Sequence, residues 1–430
     1  MLRIFSIIAA SQRTLTLDEI DVALAVRPSD SYIRQVQHRY HPDIAGYLHD
    51  LCGPIIRIWN GTVSFIHQTA IEFLFQSADE PDSTAIQRYY PYKACLDMVE
   101  ANKHLAEICV VYLTLDDVMT DGPLSDHGKT RNTLNLGGWG FNNQDGLMIK
   151  DTKSLNLRKS GKGAGLFDYA AKYWGRHCRL GNATSLSSTI STASSENSVI
   201  FNKAIVLCDT STITFRNWFQ LYWNTISAIP QFPDGLTPLM LASHMGLPDV
   251  MLALLSADGK LNNENSPMLI PMTTRPHASH LGTADSEGWT ALHWAVWNGH
   301  GSRINNDAIM VLLQQLHDDD CQCSIHGTPL GSDWHSNNHE YDSDQQCQIT
   351  KASTAVLDIQ DNKGLTPLHW AAADDQADVV RLLLEAGATV DVFDAEDMTP
   401  LLLAYENGFT GPVEVLVHYG ADLDVPYYAR

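Results

Sequence analysis

The amino-acid sequence predicts a mostly helical protein in two parts. An α-solenoid of helical-hairpin repeats is expected in residues 234–430, and helices with a single β-hairpin are expected before it. Three observations lead to this fold class. A segment beginning Thr-Pro-Leu, or a close variant, recurs in the C-terminal half; apolar residues elsewhere follow a helical period; and Asn60-Gly61 separates two strand-like runs. The 430 residues are 44% hydrophobic, enough to form more than one core.

Residues 1–80 are predicted to form a winged-helix-like domain. Apolar residues near the N-terminus have helical spacing, and the segment from Thr16 to Glu19 has the sequence of a capping box ahead of a second helix. Two β-branched runs flank Asn60-Gly61, the pair typical of a tight hairpin, and helical periodicity resumes at His67. Helices, a two-stranded wing and a further helix are the order of a winged helix.

Residues 86–229 are predicted to be a helical region with two irregular stretches. Residues 119–165 contain nine glycines and no sustained periodicity, which predicts a long loop. Residues 184–198 contain ten Ser or Thr, which predicts a flexible linker. Apolar residues recur with helical spacing on either side of both stretches.

Four segments of the C-terminal half align on threonines. These are Thr237, Thr290, Thr366 and Thr399. Threonine can cap a helix, proline follows three of the four, and glycines at 387 and 420 stand where a second helix would end. The last two threonines lie 33 residues apart, which is the ankyrin period. The segments therefore resemble ankyrin repeats, and about four such repeats are expected within residues 234–430.

Two insertions are expected to interrupt the array. Thr237 and Thr290 are 53 residues apart, and Thr290 and Thr366 are 76 apart, so extra residues fall near 261–284 and 317–354. The second insertion is polar and acidic, and we expect it to be a loop.

The ankyrin resemblance also indicates which residues contact a partner. Ankyrin proteins vary the exposed turn tips between repeats to select partners. The tip residues here are Ser286, Glu287, Asn362, Lys363, Ala395 and Glu396. Trp294 and Trp370 occupy equivalent places in two repeats, and are either packing residues or aromatic anchors for a partner. His293 and His369 occupy the TPLH position of the family, where a histidine is expected to tie neighbouring turns together.

Charge favours a protein partner that is basic or neutral. Residues 231–430 contain 28 acidic and 7 basic residues, whereas residues 1–230 contain 22 and 21. An acidic surface repels phosphates and anionic lipids, so neither nucleic acid nor a membrane is an expected partner. The eight cysteines are scattered and no apolar run is long enough to cross a membrane, so a cytoplasmic or nuclear location is expected.

Three further segments suggest a more specific family. They are LRIFSIIAASQRTLTLDEI, LCGPIIRIWNGTVSFIHQTAIEFL and LFDYAAKYWGRHCR. Followed by repeats, they resemble the C-terminal portion of fungal NACHT-ankyrin proteins, which are STAND-type, NLR-like regulators with an NTPase core ahead of the winged helix. This chain lacks that core. Residues 122–130 and 161–163 do not have the spacing of a phosphate-binding loop, so no nucleotide cofactor is expected here.

The same resemblance singles out His67. In STAND proteins a winged-helix histidine, in an MHD-like motif, contacts the phosphate of bound ADP. Gln68 stands here where that motif has aspartate. His67 is therefore either a nucleotide-sensing residue or a capping group at a strand-to-helix junction.

No catalytic motif is present, so an enzyme is not predicted and no catalytic residue is assigned. Cys321, Cys323 and Cys347, with nearby histidines, fit the spacing of no standard zinc module, so no metal is predicted. The predicted function is a non-enzymatic scaffold or regulatory adaptor that binds protein through its repeats. The alternative is a fragment or subunit of a STAND-type switch whose NTPase core is absent from this chain.

Overall fold

The structure, a computed structural model, consists of two compact units. The units are Met1–Leu207 with Ser211–Thr225, and Cys208–Thr210 with Ile226–Arg430. The residues it describes are 1–75, 96–116, 165–182, 195–227, 229, 231–255, 281–297, 306–320 and 355–423. None of the helices among these residues is long and apolar enough to cross a membrane.

The first unit begins with five helices and a small sheet. Its elements are α1 (Leu2–Ala10), β1 (Leu15–Thr16), α2 (Leu17–Ala25), α3 (Ile33–Gln37), α4 (Ile44–Cys52), β2 (Ile56–Trp59), β3 (Thr62–Phe65) and α5 (Gln68–Phe75). The three strands are antiparallel in the order β1-β3-β2. Trp59 pairs with Thr62 across the expected Asn60-Gly61 turn, where both residues have positive φ (49° and 76°). Asn and Gly tolerate this conformation best, which is why this pair closes the hairpin.

The capping box at the start of α2 is present. The Thr16 hydroxyl accepts from the Glu19 amide (3.2 Å), and the Glu19 carboxylate accepts from the Thr16 amide (2.8 Å). Arg13 pairs with the same carboxylate at 2.6 Å. The apolar face of α1, including Phe5 and Ile7, is fully buried.

Four longer helices follow in the described part of the first unit. They are α6 (Met98–Leu113), α7 (Phe167–Leu180), α8 (Ser195–Cys208) and α9 (Ile213–Ile226). A buried chain of hydrogen bonds joins α6 to α7, because His177 contacts Asn102 and Tyr169, each at 2.9 Å. Trp174 packs edge-on against Trp218, with ring centroids 5.3 Å apart.

The irregular stretches predicted for this region lie mostly outside the described residues. This holds for residues 119–164 of the predicted loop and for residues 183–194. The predicted linker 184–198 is wrong at its end, because α8 begins at Ser195. Ser and Thr content alone did not reveal the apolar helix that starts within the stretch.

In the described residues, the second unit has four helical pairs, one after each aligned threonine. The pairs are α10 (Pro238–Met245) with α11 (Pro248–Leu255), α12 (Ala291–Val296) with α13 (Asn306–Asp320), α14 (Pro367–Ala373) with α15 (Ala377–Glu385), and α16 (Pro400–Glu406) with α17 (Thr410–His418). The prediction that an insertion begins at residue 317 is wrong at that end, since α13 continues to Asp320. Residues 256–280 and 321–354, with Cys321, Cys323 and Cys347, lie outside the described residues.

The sequence signals at the helix ends act as expected. The hydroxyls of Thr237, Thr366 and Thr399 each accept a hydrogen bond from the third residue of the helix that follows. Gly387 and Gly420 have φ of 94° and 86°, the left-handed conformation that ends a helix and that glycine adopts without strain.

Candidate protein-interaction surface

The turn tips of the second, third and fourth repeats are each built around one aspartate. The Asp285 carboxylate accepts from the amides of Glu287 and Trp289, both at 2.9 Å. Asp361 does the same in the third repeat and Asp394 in the fourth. These bonds hold each tip in one shape, so its outermost side chains project from a rigid support.

A ladder of backbone hydrogen bonds joins neighbouring tips. The Ser286 amide donates to the Asp234 carbonyl (2.8 Å), the Asn362 amide to the Glu287 carbonyl (3.0 Å), and the Ala395 amide to the Lys363 carbonyl (2.9 Å). The tips therefore form one continuous edge along the repeats. We call this edge the tip ladder.

All six predicted contact residues lie on the tip ladder, and all are exposed. Two of them also hold the ladder together, because the Asn362 amide group donates to the Ser286 carbonyl (2.8 Å) and the Ser286 hydroxyl accepts from the Asp234 amide (3.0 Å). Glu287 and Glu396 are exposed carboxylates of the second and fourth tips, and the exposed Lys363 lies at the third tip between them. They are better placed for a partner than Ser286 and Asn362, whose side chains bind within the array.

The two predicted aromatic anchors differ in accessibility. Trp294 is fully buried, and its indole N–H donates to Asp285 at 2.9 Å. This burial corrects the expectation that Trp294 touches a partner, since the ring has no exposed surface and serves packing. Trp370 is half-buried, and its indole N–H donates to Asp361 at 3.1 Å.

The sequence reasoning missed two tryptophans beside them. Trp289 and Trp297 are half-buried, and the Trp289 ring lies 4.9 Å from Trp370 and 5.1 Å from Trp297, edge to face. Aromatic side chains with part of the ring exposed are common anchors in protein interfaces. One sequence signal could have found them, because Trp289 and Trp297 flank the TALH segment of the second repeat. Neither residue, however, occupies a position of the Thr-Pro-Leu-His pattern on which the repeats align.

The repeat histidines tie neighbouring repeats as expected. Nε2 of His293 lies 3.2 Å from the Leu365 carbonyl, and Nε2 of His369 lies 3.3 Å from the Met398 carbonyl. Nδ1 accepts from the threonine amide of the same repeat in both cases. Nε2 must therefore carry the proton and donate it, which requires neutral imidazoles.

Burial keeps these imidazoles neutral. It lowers the pKa of His293 to about 4, against 6.5 for the free side chain, and lowers the pKa of His369 in the same direction. The Leu365 carbonyl and the nearby Asp361 act on the His293 pKa in the opposite direction, but burial is the larger effect.

We expect the contribution of His293 to the stability of the second unit to be lost as the pH falls from 7 to 4.5. His293 takes up a proton at about pH 6.5 when unfolded but only near pH 4 when folded, so its stabilisation is complete above pH 6.5 and is lost below it. The loss at pH 4.5 is on the order of 2–3 kcal/mol. Urea unfolding of the wild type and of His293→Gln at both pH values measures it.

The comparison with His293→Gln isolates one group among several. Burial raises the pKa of Asp285 and that of Asp374, so the contribution of these carboxyls to folding stability grows as the pH falls, opposite to that of the histidines. Asp285, Asp374 and His369 are present in both proteins, so the difference in pH dependence reports His293. Equal pH dependence in the two proteins would show that His293 is not the titrating group.

His67 lies in the first unit, at the junction of β3 and α5. Its Nδ1 accepts from the Thr69 amide (3.2 Å) and lies 3.0 Å from the Thr69 hydroxyl. The side chain thus caps α5, one of the two roles considered for it. The imidazole is exposed.

The described residues provide no metal site, since no group of three or more His, Cys, Asp or Glu side chains in them is arranged to hold a metal ion. Cys52, Cys109 and Cys178 are buried thiols that form no disulfide. Burial raises the pKa of Cys109 and of Cys178, so both stay protonated and unreactive at neutral pH.

Two family models match the second unit. The model described as Ankyrin repeat matches residues 234–266 and 287–322, and the model described as Ankyrin repeats (3 copies) matches residues 341–427. The four helical pairs begin within these matches. The C-terminal region therefore carries ankyrin repeats, as the sequence predicted.

Proposed function

We propose that this chain is a non-enzymatic scaffold or regulatory adaptor whose ankyrin repeats bind a basic or neutral protein. Ankyrin repeats generally mediate protein–protein interaction, and stacked repeats present extended surfaces suited to it. The observation that carries the proposal is the tip ladder, which presents Glu287, Lys363 and Glu396 on a rigid edge.

The charge around the ladder supports a basic partner. Residues 358–423 contain thirteen Asp and Glu but only two Lys and Arg. Complementary charge across an interface speeds association and selects between partners, whereas nucleic acid would be repelled.

Reversing the ladder charge is expected to weaken binding. In Glu287→Lys/Glu396→Lys, two exposed carboxylates become cations, which we expect to lower affinity for a basic partner roughly tenfold at low salt. The salt dependence of binding should become flatter, since fewer opposite charges meet. To measure both effects, a partner is first captured on the immobilised chain and purified. Its binding to the wild type and to the double variant is then titrated by calorimetry at two salt concentrations.

A matched variant separates local from overall charge. Asp50→Lys/Glu72→Lys makes the same change in net charge on exposed positions of the first unit. We expect it to leave affinity nearly unchanged. If both double variants weaken binding equally, or if neither does, the tip ladder is not the contact surface.

A cytoplasmic or nuclear location belongs to the same proposal. Its support is that Cys52, Cys109 and Cys178, in the described part of the chain, form no disulfide, which is usual in a reducing compartment.

The alternative is one component of a nucleotide-driven switch of the fungal NACHT-ankyrin (STAND) class. Two features of the first unit favour it: the order of its elements from α1 to α5, which is that of a winged helix, and the exposed His67 after the hairpin. Such a switch would also need an NTPase core, which the residues present here do not supply. Sedimentation of the native protein from its cells with and without ATP tests this alternative. A complex that grows with ATP, and does so less in His67→Ala, supports the switch; unchanged sedimentation contradicts it.

A further inference from the structure

The fourth repeat has an apolar face on the side away from the third repeat. Leu402 and Tyr405 on α16, with Val413 and Val417 on α17, define it, and we call it the stack-end face. In the part of the chain that the structure describes, which ends at Leu423, no helix follows α17.

The equivalent residues of the third repeat show how buried these four positions are when another repeat follows. The residues 33 positions earlier are His369, Ala372, Val380 and Leu384. They are 0%, 0%, 0% and 7% exposed. The first helices of the third and fourth repeats contact each other, as do the second helices, and His369 reaches the Met398 carbonyl. In the third repeat, therefore, these positions lie where the next helical pair packs.

In the fourth repeat the same positions are apolar but uncovered. Tyr405 is 72% exposed and Val417 is 41% exposed, while Leu402 and Val413 are half-buried. A repeat that closes a stack against water normally has polar residues on its outer face. This face instead keeps the side chains that suit a further pair of helices.

Exposed acidic residues lie next to the face in the sequence. Glu406 is adjacent to Tyr405 in sequence and Glu414 to Val413, and both are exposed, as are Glu396 and Asp397 at the nearby tip. A second copy of this chain would bring the same carboxylates together, which is unfavourable. A cationic partner would meet complementary charge.

We propose that the stack-end face docks a basic amphipathic helix of another protein. The apolar side of the helix would pack on Tyr405 and Val417, as α16 and α17 themselves pack on the third repeat, and its Lys and Arg side chains would meet Glu406 and Glu414. This inference rests on the proposed function, that the repeats bind protein, and adds a second surface and the chemistry of its partner.

The test uses the full chain and a synthetic peptide probe. The probe is a fluorescein-labelled, amidated helical peptide with leucines on one face, at positions i, i+3, i+4 and i+7, and Lys and Arg beside them. We expect anisotropy titration to show binding that Tyr405→Ser/Val417→Ser weakens roughly tenfold or more. The matched control is Leu252→Ser/Ile213→Ser, two exposed apolar positions elsewhere (50% and 56%), which should leave binding unchanged.

Four outcomes would overturn the inference, beginning with that of a scrambled peptide. A peptide with the same residues in scrambled order should bind much more weakly, and equal binding would reveal charge attraction alone. Failure of the wild type to bind the probe, or an equal loss in both double variants, contradicts docking at this face. A wild-type dimer that Tyr405→Ser/Val417→Ser turns into a monomer in sedimentation would identify a second copy as the occupant.

The proposed function can be judged separately. If a captured partner loses affinity with Glu287→Lys/Glu396→Lys but not with Tyr405→Ser/Val417→Ser, the repeats bind through the tip ladder. The stack-end inference then fails while the proposed function stands.

Discussion

Gly364→Ala is expected to cause one of the two largest losses of stability among the predicted substitutions. Gly364 has φ of 79°, which side chains other than glycine rarely adopt, and a Cβ placed there would lie 2.6 Å from the Ala395 backbone nitrogen. Alanine must strain its own turn and push the fourth tip away, which breaks the Ala395-to-Lys363 hydrogen bond. The expected loss is roughly 3 kcal/mol or more in urea unfolding.

A second glycine provides the matched control. Gly408 has φ of 76°, but an added Cβ there would meet nothing within 4 Å. Gly408→Ala should cost about 1 kcal/mol, from the backbone conformation alone. The difference between the two variants measures the close approach of neighbouring tips. Equal losses would mean that this approach contributes nothing.

Trp294→Ala is expected to destabilise the second unit by about 3–5 kcal/mol. The substitution empties the space of a fully buried ring that contacts Trp289 and Trp297. It also leaves one oxygen of Asp285 without its indole donor. Thermal and urea unfolding, followed by circular dichroism, measure the loss.

Two further variants show where that loss arises. Trp294→Phe keeps most of the apolar volume and removes the N–H, so it should cost about 1–2 kcal/mol. Trp59→Ala removes a tryptophan that is 61% exposed, and should change stability by less than about 0.5 kcal/mol. If Trp294→Ala proves as mild as Trp59→Ala, the burial of Trp294 is not what stabilises the repeats.

The helix starts of the repeats could be predicted because their signals are local. Thr366 and Thr399 cap helices with their own hydroxyls, Pro follows each, and the required conformation is set within a few residues. The Asn60-Gly61 hairpin is local in the same sense. Such elements depend little on the rest of the chain.

The candidate surface was only partly predictable, because its geometry depends on contacts between repeats. The tip ladder joins backbone atoms, and these leave no mark in residue identity. Trp289 and Trp297 lie outside the Thr-Pro-Leu-His pattern, so only their position on either side of the second repeat's TALH segment distinguished them from ordinary core residues. The opposite exposure of the equivalent residues Ala372, which is buried, and Tyr405, which is exposed, depends on whether a neighbouring helix covers the position.

Backbone atoms hold the tip ladder together, whereas a partner would contact its side chains. The framework of the repeats and their proposed binding specificity therefore depend on different atoms. Glu287, Lys363 and Glu396 contribute backbone atoms to the turns, and every amino acid except proline supplies the same atoms. Under the proposed function, substitution at these three positions would therefore change partner preference without removing one of these backbone bonds. Gly364 does not share this freedom. During evolution the array can diverge quickly in binding specificity while its framework stays nearly constant.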